Sequence, residues 1–148
     1  MSFNPQEFMD ASVSGANDTK VIPVPVGEYV AIITDVKPRQ WQSKDGSTTG
    51  IAIDVTWDVD DQAVKDLLGR DTVTVRQGIM LDTDGTGKLD MGTGRNVSLG
   101  RLREAVGKND PKTPFSFAQL PGMAAKITVS HRIDGDNTYA EVKGAVRL

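Results

Sequence analysis

Residues 50–58 alternate apolar and polar side chains without a break: Ile51, Ile53, Val55 and Trp57 fall on one side, Ala52, Asp54 and Thr56 on the other. Period-two alternation marks a strand with one buried face; at 3.6 residues per turn the same apolar residues would scatter around a helix. This stretch commits the chain to a sheet, with Trp57 on its core side. Other stretches follow the same rule. Residues 28–37, EYVAIITDVK, place Val30, Ile32 and Val36 on one side, and a third strand is predicted over 71–81. Residues 123–133 and 138–147 read as a closing hairpin, with Asp134-Gly135 as a type I′ turn signal. On the last strand Tyr139, Glu141 and Lys143 fall on one side, and Ala140, Val142 and Val146 on the other.

Two stretches carry helical signals. In residues 61–68, Asp61 can cap, Val64, Leu67 and Leu68 form an apolar face, and Gly69 can terminate. Over about 96–106, Val97, Leu99, Leu102 and Val106 sit near helical spacing, with Gly107 as the stop. Residues 38–49 and 82–95 read as long loops, and Pro111, Pro114 and Pro121 punctuate the stretch before the hairpin. Three strands, a helix, then two strands is the element order of the OB-fold, a mainly β, five-stranded Greek-key barrel with a helix between strands 3 and 4. Residues 1–20 are polar with scattered apolars and read as a flexible arm; residues 21–148 are the predicted domain.

Composition removes several function classes. The chain has 148 residues, enough for one domain with a real core, and no cysteine. Disulfides, Cys-ligated zinc and thiol nucleophiles are excluded. No signal peptide and no membrane span are expected, which fits an intracellular protein without a membrane partner. The net charge of −3 is unevenly spread: the first hundred residues carry −6 and the remainder +3. An acidic chain of this kind can still present one basic face.

The Gly- and Asp-rich loop imitates two sites. Gly87-Lys88 resembles the end of a phosphate loop, but the required Gly position holds Asp82 and the required Ser/Thr position holds Leu89. Asp82, Asp84, Thr86, Gly87 and Asp90 match a calcium loop until its last position, where Thr93 replaces the bidentate Glu. A turn between strand and helix is the simpler reading. His131 is the only histidine and has no second His or Cys to share a metal. No nucleophile turn of the G-x-S-x-G type is present, and no enzyme activity or cofactor is expected.

The positive signal is basic and aromatic interleaving. Lys37, Arg39, Trp41 and Lys44 fall on the first long loop, one lip of an OB-fold groove. A flat ring among cations offers stacking for a base and charge for phosphates. Trp41 tucked back over the barrel end is the alternative, and both readings stay open. Arg76 on the third strand joins this set, with Lys126, Arg132, Tyr139 and Lys143 from the hairpin. A solvated face is the bland reading of the hairpin residues, favoured by Glu141 between Tyr139 and Lys143.

VGEYVAIITDVKPRQ, GRNVSLGRLREAVGKNDP and MAAKITVSHRIDGDNTYAEVKGAV resemble a family of small bacteriophage proteins, long catalogued as a domain of unknown function and associated with single-stranded DNA binding. The resemblance spans about residues 22–148, with NVSLGRLREAVG its most specific part. It implies an OB-fold and sequence-tolerant binding of single-stranded DNA in phage replication or recombination, in the cytoplasm of the infected host. Phage replication or recombination proteins are the implied partners, and a homo-oligomer is allowed. The chain ends GAVRL, so recruitment through an acidic tail is not expected. The rival reading is a virion or assembly protein that uses the barrel for protein contacts.

Overall fold

The computed structural model describes residues 2–148. Five strands close a barrel: β1 (Gly27–Gln42), β2 (Thr49–Val59), β3 (Thr74–Leu81), β4 (Ala124–Asp134) and β5 (Asn137–Val146). Their order is β1-β2-β3-β5-β4. Neighbours are antiparallel except β3 and β5, which pair in parallel through Arg76 and Glu141. Three α-helices complete the chain: α1 (Pro5–Asp10) in the arm, α2 (Gln62–Leu68) between β2 and β3, and α3 (Val97–Ala105) between β3 and β4. Strand order and helix position are those of an OB-type barrel, as the element order predicts.

The alternation of β2 holds from Ile53 to Val59; at its start Ile51 is exposed and Ala52 is fully buried, against the expected pattern. Ile53, Val55, Trp57 and Val59 point into the barrel, and Trp57 is fully buried. Its indole N–H donates to Gln77 Oε1 at 2.9 Å, which satisfies the one polar group of the ring. Leu99, Leu102 and Ala105 of α3 are buried in the same core, together with Leu120. Asp61 caps α2 by accepting from the Val64 amide, and Gly69 ends it at φ 68°. That left-handed turn suits glycine, which lacks the Cβ that crowds it.

Parity fails where bulges intervene. Ala31 and Ile33 are the inward residues of early β1, whereas Val30 and Ile32 face out. A register shift between Ile33 and Asp35 then returns Val36 to the inside, so Val30, Ile32 and Val36 do not share a face. A second shift in the β4–β5 pairing, at Thr128/Val129, leaves Lys143 unpaired. Beyond it Ala145 packs inward and Val146 is exposed, the reverse of strict alternation. The strand β1 also continues to Gln42, so the predicted loop 38–49 shrinks to the hairpin tip 43–48. The third strand starts at Thr74, not at residue 71. The closing turn is Gly135-Asp136, between the paired Asp134 and Asn137. Gly135 has φ 60° and Asp136 no positive φ, a type II′ pattern in place of type I′.

The arm contains a helix with complete start signals. Asn4 accepts from the amides of Gln6 and Glu7, Pro5 occupies the first helical position, and Phe3 stacks edge-on against Phe8 at 5.7 Å. Together these are an N-cap, a preset φ and a hydrophobic staple.

Candidate nucleic-acid interface

Residues directly paired across a sheet share a face, so the strand register lays out the outer surface of β1–β3 row by row. Trp41 sits opposite Gly50; Arg39 opposite Ala52, which faces Met80; Lys37 opposite Asp54, which faces Gly78. The next row runs Asp35, Thr56, Arg76 and, across the parallel pairing, Glu141. Lys37, Arg39, Trp41 and Arg76 therefore occupy one continuous wall.

Trp41 belongs to the strand face, neither to a mobile loop nor to the barrel end. A Cβ on Gly50 would overlap its indole ring, so the ring lies directly on the glycine backbone. Only glycine allows that approach. The ring is half-buried, and its N–H is turned inward without an acceptor. Van der Waals contact alone thus holds the indole flat. Met80, 55 % exposed and paired across the sheet with the fully covered Ala52, adds apolar surface to the same face.

The cations of the wall are interleaved with acids. Arg39 Nε lies 3.0 Å from Asp54 Oδ2, and Lys37 Nζ lies 3.5 Å from Asp35. The Lys37–Asp35 pair is solvent-exposed and worth about 0–1 kcal/mol, so a phosphate can exchange for its acid at little cost; Asp54 is partly covered, so Arg39 is held more closely. Arg76 and Lys44 make no ion pair among the described residues. Lys44 lies in the β1–β2 hairpin tip, whose shape Asp45 sets by accepting from the Ser43 hydroxyl and from the amide and hydroxyl of Ser47. Those hydrogen bonds, led by the one from Ser43, lower its carboxyl to about 2.

The hairpin residues join through Glu141. Arg132 lies over the Tyr139 ring at 4.9 Å and reaches Glu141 at 3.4 Å, next to Arg76 in the row. Arg132 and Tyr139 thus border the wall, with one face of Tyr139 covered by the guanidinium. Lys126 is elsewhere: it shares a row with Val30 and Val146 on the β1–β4–β5 side and pairs with Glu28 at 2.9 Å. Lys143 is exposed at the β5 bulge. His131 serves the structure, donating from Nε2 to the Val24 carbonyl at 2.6 Å and tying the incoming chain to β4.

Gly50, Gly78, Ala52 and Met80 were not singled out from sequence. The alternation of Arg76, Gly78 and Met80 against Val75, Gln77 and Ile79 carries the signal for β3. The placement of Gly50 under Trp41 depends on the hairpin register, which no local pattern states.

In the 82–95 loop the acids are engaged internally. Asp84 accepts from the Thr86 hydroxyl and amide and from the Lys88 amide, which lower its carboxyl. Asn96, at φ 52°, clasps the loop through the Asp82 amide and the carbonyls of Asp82 and Asp90. Among the described residues no group of three His, Asp or Glu could hold a metal ion.

No protein-family model matches the chain, and no curated protein matches it.

Proposed function

We propose that the outer wall of β1–β3 binds single-stranded DNA without strong sequence preference, in phage genome replication or recombination. The observation that carries this reading is the Trp41 indole lying on Gly50, on one face with Met80, Lys37, Arg39 and Arg76. A flat ring supported from beneath is a stacking platform for any base, because every base has a π face. The long cations at its edge reach for phosphates, and Arg132 with Tyr139 would continue the track past Glu141. Near-neutral charge on this wall makes stacking the larger contributor. In the OB-fold the face of strands 2 and 3 and the flanking hairpins are the usual oligonucleotide site, an argument by analogy of fold.

Titration with a labelled oligothymidine tests the reading, following tryptophan emission. Trp57 is sealed in the core, so Trp41 alone should respond. Saturable quenching, lost in Trp41→Ala, supports the proposal. Unchanged emission at saturating oligonucleotide contradicts it.

A further inference from the structure

A second surface has no part in that wall. A groove of about 590 Å³ runs between α3 and the end of β5. Its floor holds Val97, 48 % exposed, and Val146, 60 % exposed, with Ala145. Its rim carries Arg101, Arg95, which pairs with Asp90 at 3.7 Å, and Arg147, which donates to the Glu104 carbonyl at 3.0 Å; Glu104 is the one acid lining it. Arg101 makes no ion pair among the described residues. Gly100 also lines the groove, and a Cβ built there would meet nothing within 4 Å. A glycine inside a helix is costly relative to alanine, and no packing within the chain requires this one. It leaves the helix surface flat, as close approach of another element needs.

The arm is complementary to this groove. Residues 2–19 contain Glu7, Asp10 and Asp18 and no Lys or Arg. Phe3, Phe8 and Met9 are all more than two-thirds exposed, and α1 makes no hydrogen bond to the barrel. A helix this short is marginal alone, yet its start is fully specified by Asn4, Pro5 and the Phe3–Phe8 staple. Such specification prepares a helix for a partner, since it reduces the ordering cost of docking.

We propose that α1 of one chain docks in the α3–β5 groove of a second copy. Phe8 and Met9 cover Val97 and Val146, while Glu7 and Asp10 face the arginine rim. Each chain offers one arm and one groove, so two copies can exchange arms in a closed dimer, and where the geometry does not close, the same contact builds head-to-tail chains. Along a shared strand this contact would act at high effective concentration and make coating cooperative.

Sedimentation of the full chain without DNA tests this separately from the DNA reading. The native chain should show average mass rising with concentration above that of the monomer. Phe8→Ala, at an exposed position, and Arg101→Glu should each weaken self-association by about tenfold or more, as loss of an anchor does, with unchanged melting temperatures. Gly100→Leu, which fills the groove floor, should do the same. Mixing Phe8→Ala with Arg101→Glu should give a species that stops at the dimer, because one intact arm meets one intact groove. A native chain still monomeric at about millimolar concentration overturns the proposal, as that leaves only a very weak contact. So does a mixture that forms no dimer, which would place the arm in its own groove, or self-association indifferent to all three substitutions.

Discussion

Trp41 and Trp57 are the same residue type put to opposite uses, and the difference is local. Trp57 has an internal partner, Gln77, and no exposed surface; Trp41 has a glycine beneath it and no partner for its N–H. Trp57→Ala should therefore cost about 3–5 kcal/mol of stability, the scale of a buried aromatic truncation. Trp41→Ala should leave the melting curve nearly unchanged and weaken oligonucleotide binding by about 1–3 kcal/mol, one lost stack. Paired denaturant and binding titrations on the two variants check this. Asp54 competes with phosphate for Arg39, so Asp54→Asn should tighten binding a few-fold; weaker binding would mean that the pair positions the guanidinium for its ligand. Asp45 supplies a pH test. Its folded carboxyl is depressed to about 2 from an ordinary 3.8, so its hydrogen bonds hold the hairpin tip above 3.8 and are lost only as pH falls through about 2. The Ser47 amide resonance should follow that low titration. A midpoint near 4 would show that the Ser43–Asp45–Ser47 turn does not persist in solution.

At the scale of elements, sequence reading succeeds where one rule acts alone. The β2 alternation, the Asp61 cap with its Gly69 stop, and the helix between β3 and β4 are all local patterns. It fails where an inserted residue changes parity. The bulge after Ile33 exchanged the faces of Val30, Ile32 and Val36, and the bulge at Lys143 exposed Val146. A bulge is fixed by pairing with a distant strand, so the one-strand pattern does not contain it. For the same reason Arg39 and Trp41 were legible as a basic and aromatic cluster, but not as strand residues resting on β2. The α1 signals at Phe3, Asn4, Pro5 and Phe8 are local, but they sit in an arm whose polar composition predicts no helix. Asn96 shows how a polar loop acquires shape: one side chain at φ 52° ties Asp82 to Asp90. Asn96→Ala should destabilise the domain by about 1–3 kcal/mol through the lost hydrogen bonds and the unfavourable left-handed backbone. Asn96→Gly should recover the backbone part, a difference that thermal melts resolve.

Over the whole molecule, the barrel separates two surfaces. The β1–β3 wall gathers Lys37, Arg39, Trp41 and Arg76 for the proposed strand contact, while the α3–β5 groove is the proposed seat of a second copy's arm. The overall charge of −3 opposes association with a polyanion at long range, so the wall must act at contact distance. The most direct test is affinity for a labelled single-stranded oligonucleotide across a salt series. Log affinity should fall linearly with log salt at about −0.7 per phosphate contacted, or about −3 if Lys37, Arg39, Lys44 and Arg76 each engage one. Arg76→Ala should reduce the slope by about one contact. Measurable binding that follows this slope and is similar for different base sequences is the expected result. No binding at low salt, or an affinity unaffected by salt, would contradict it and leave the barrel face as a surface for protein contacts.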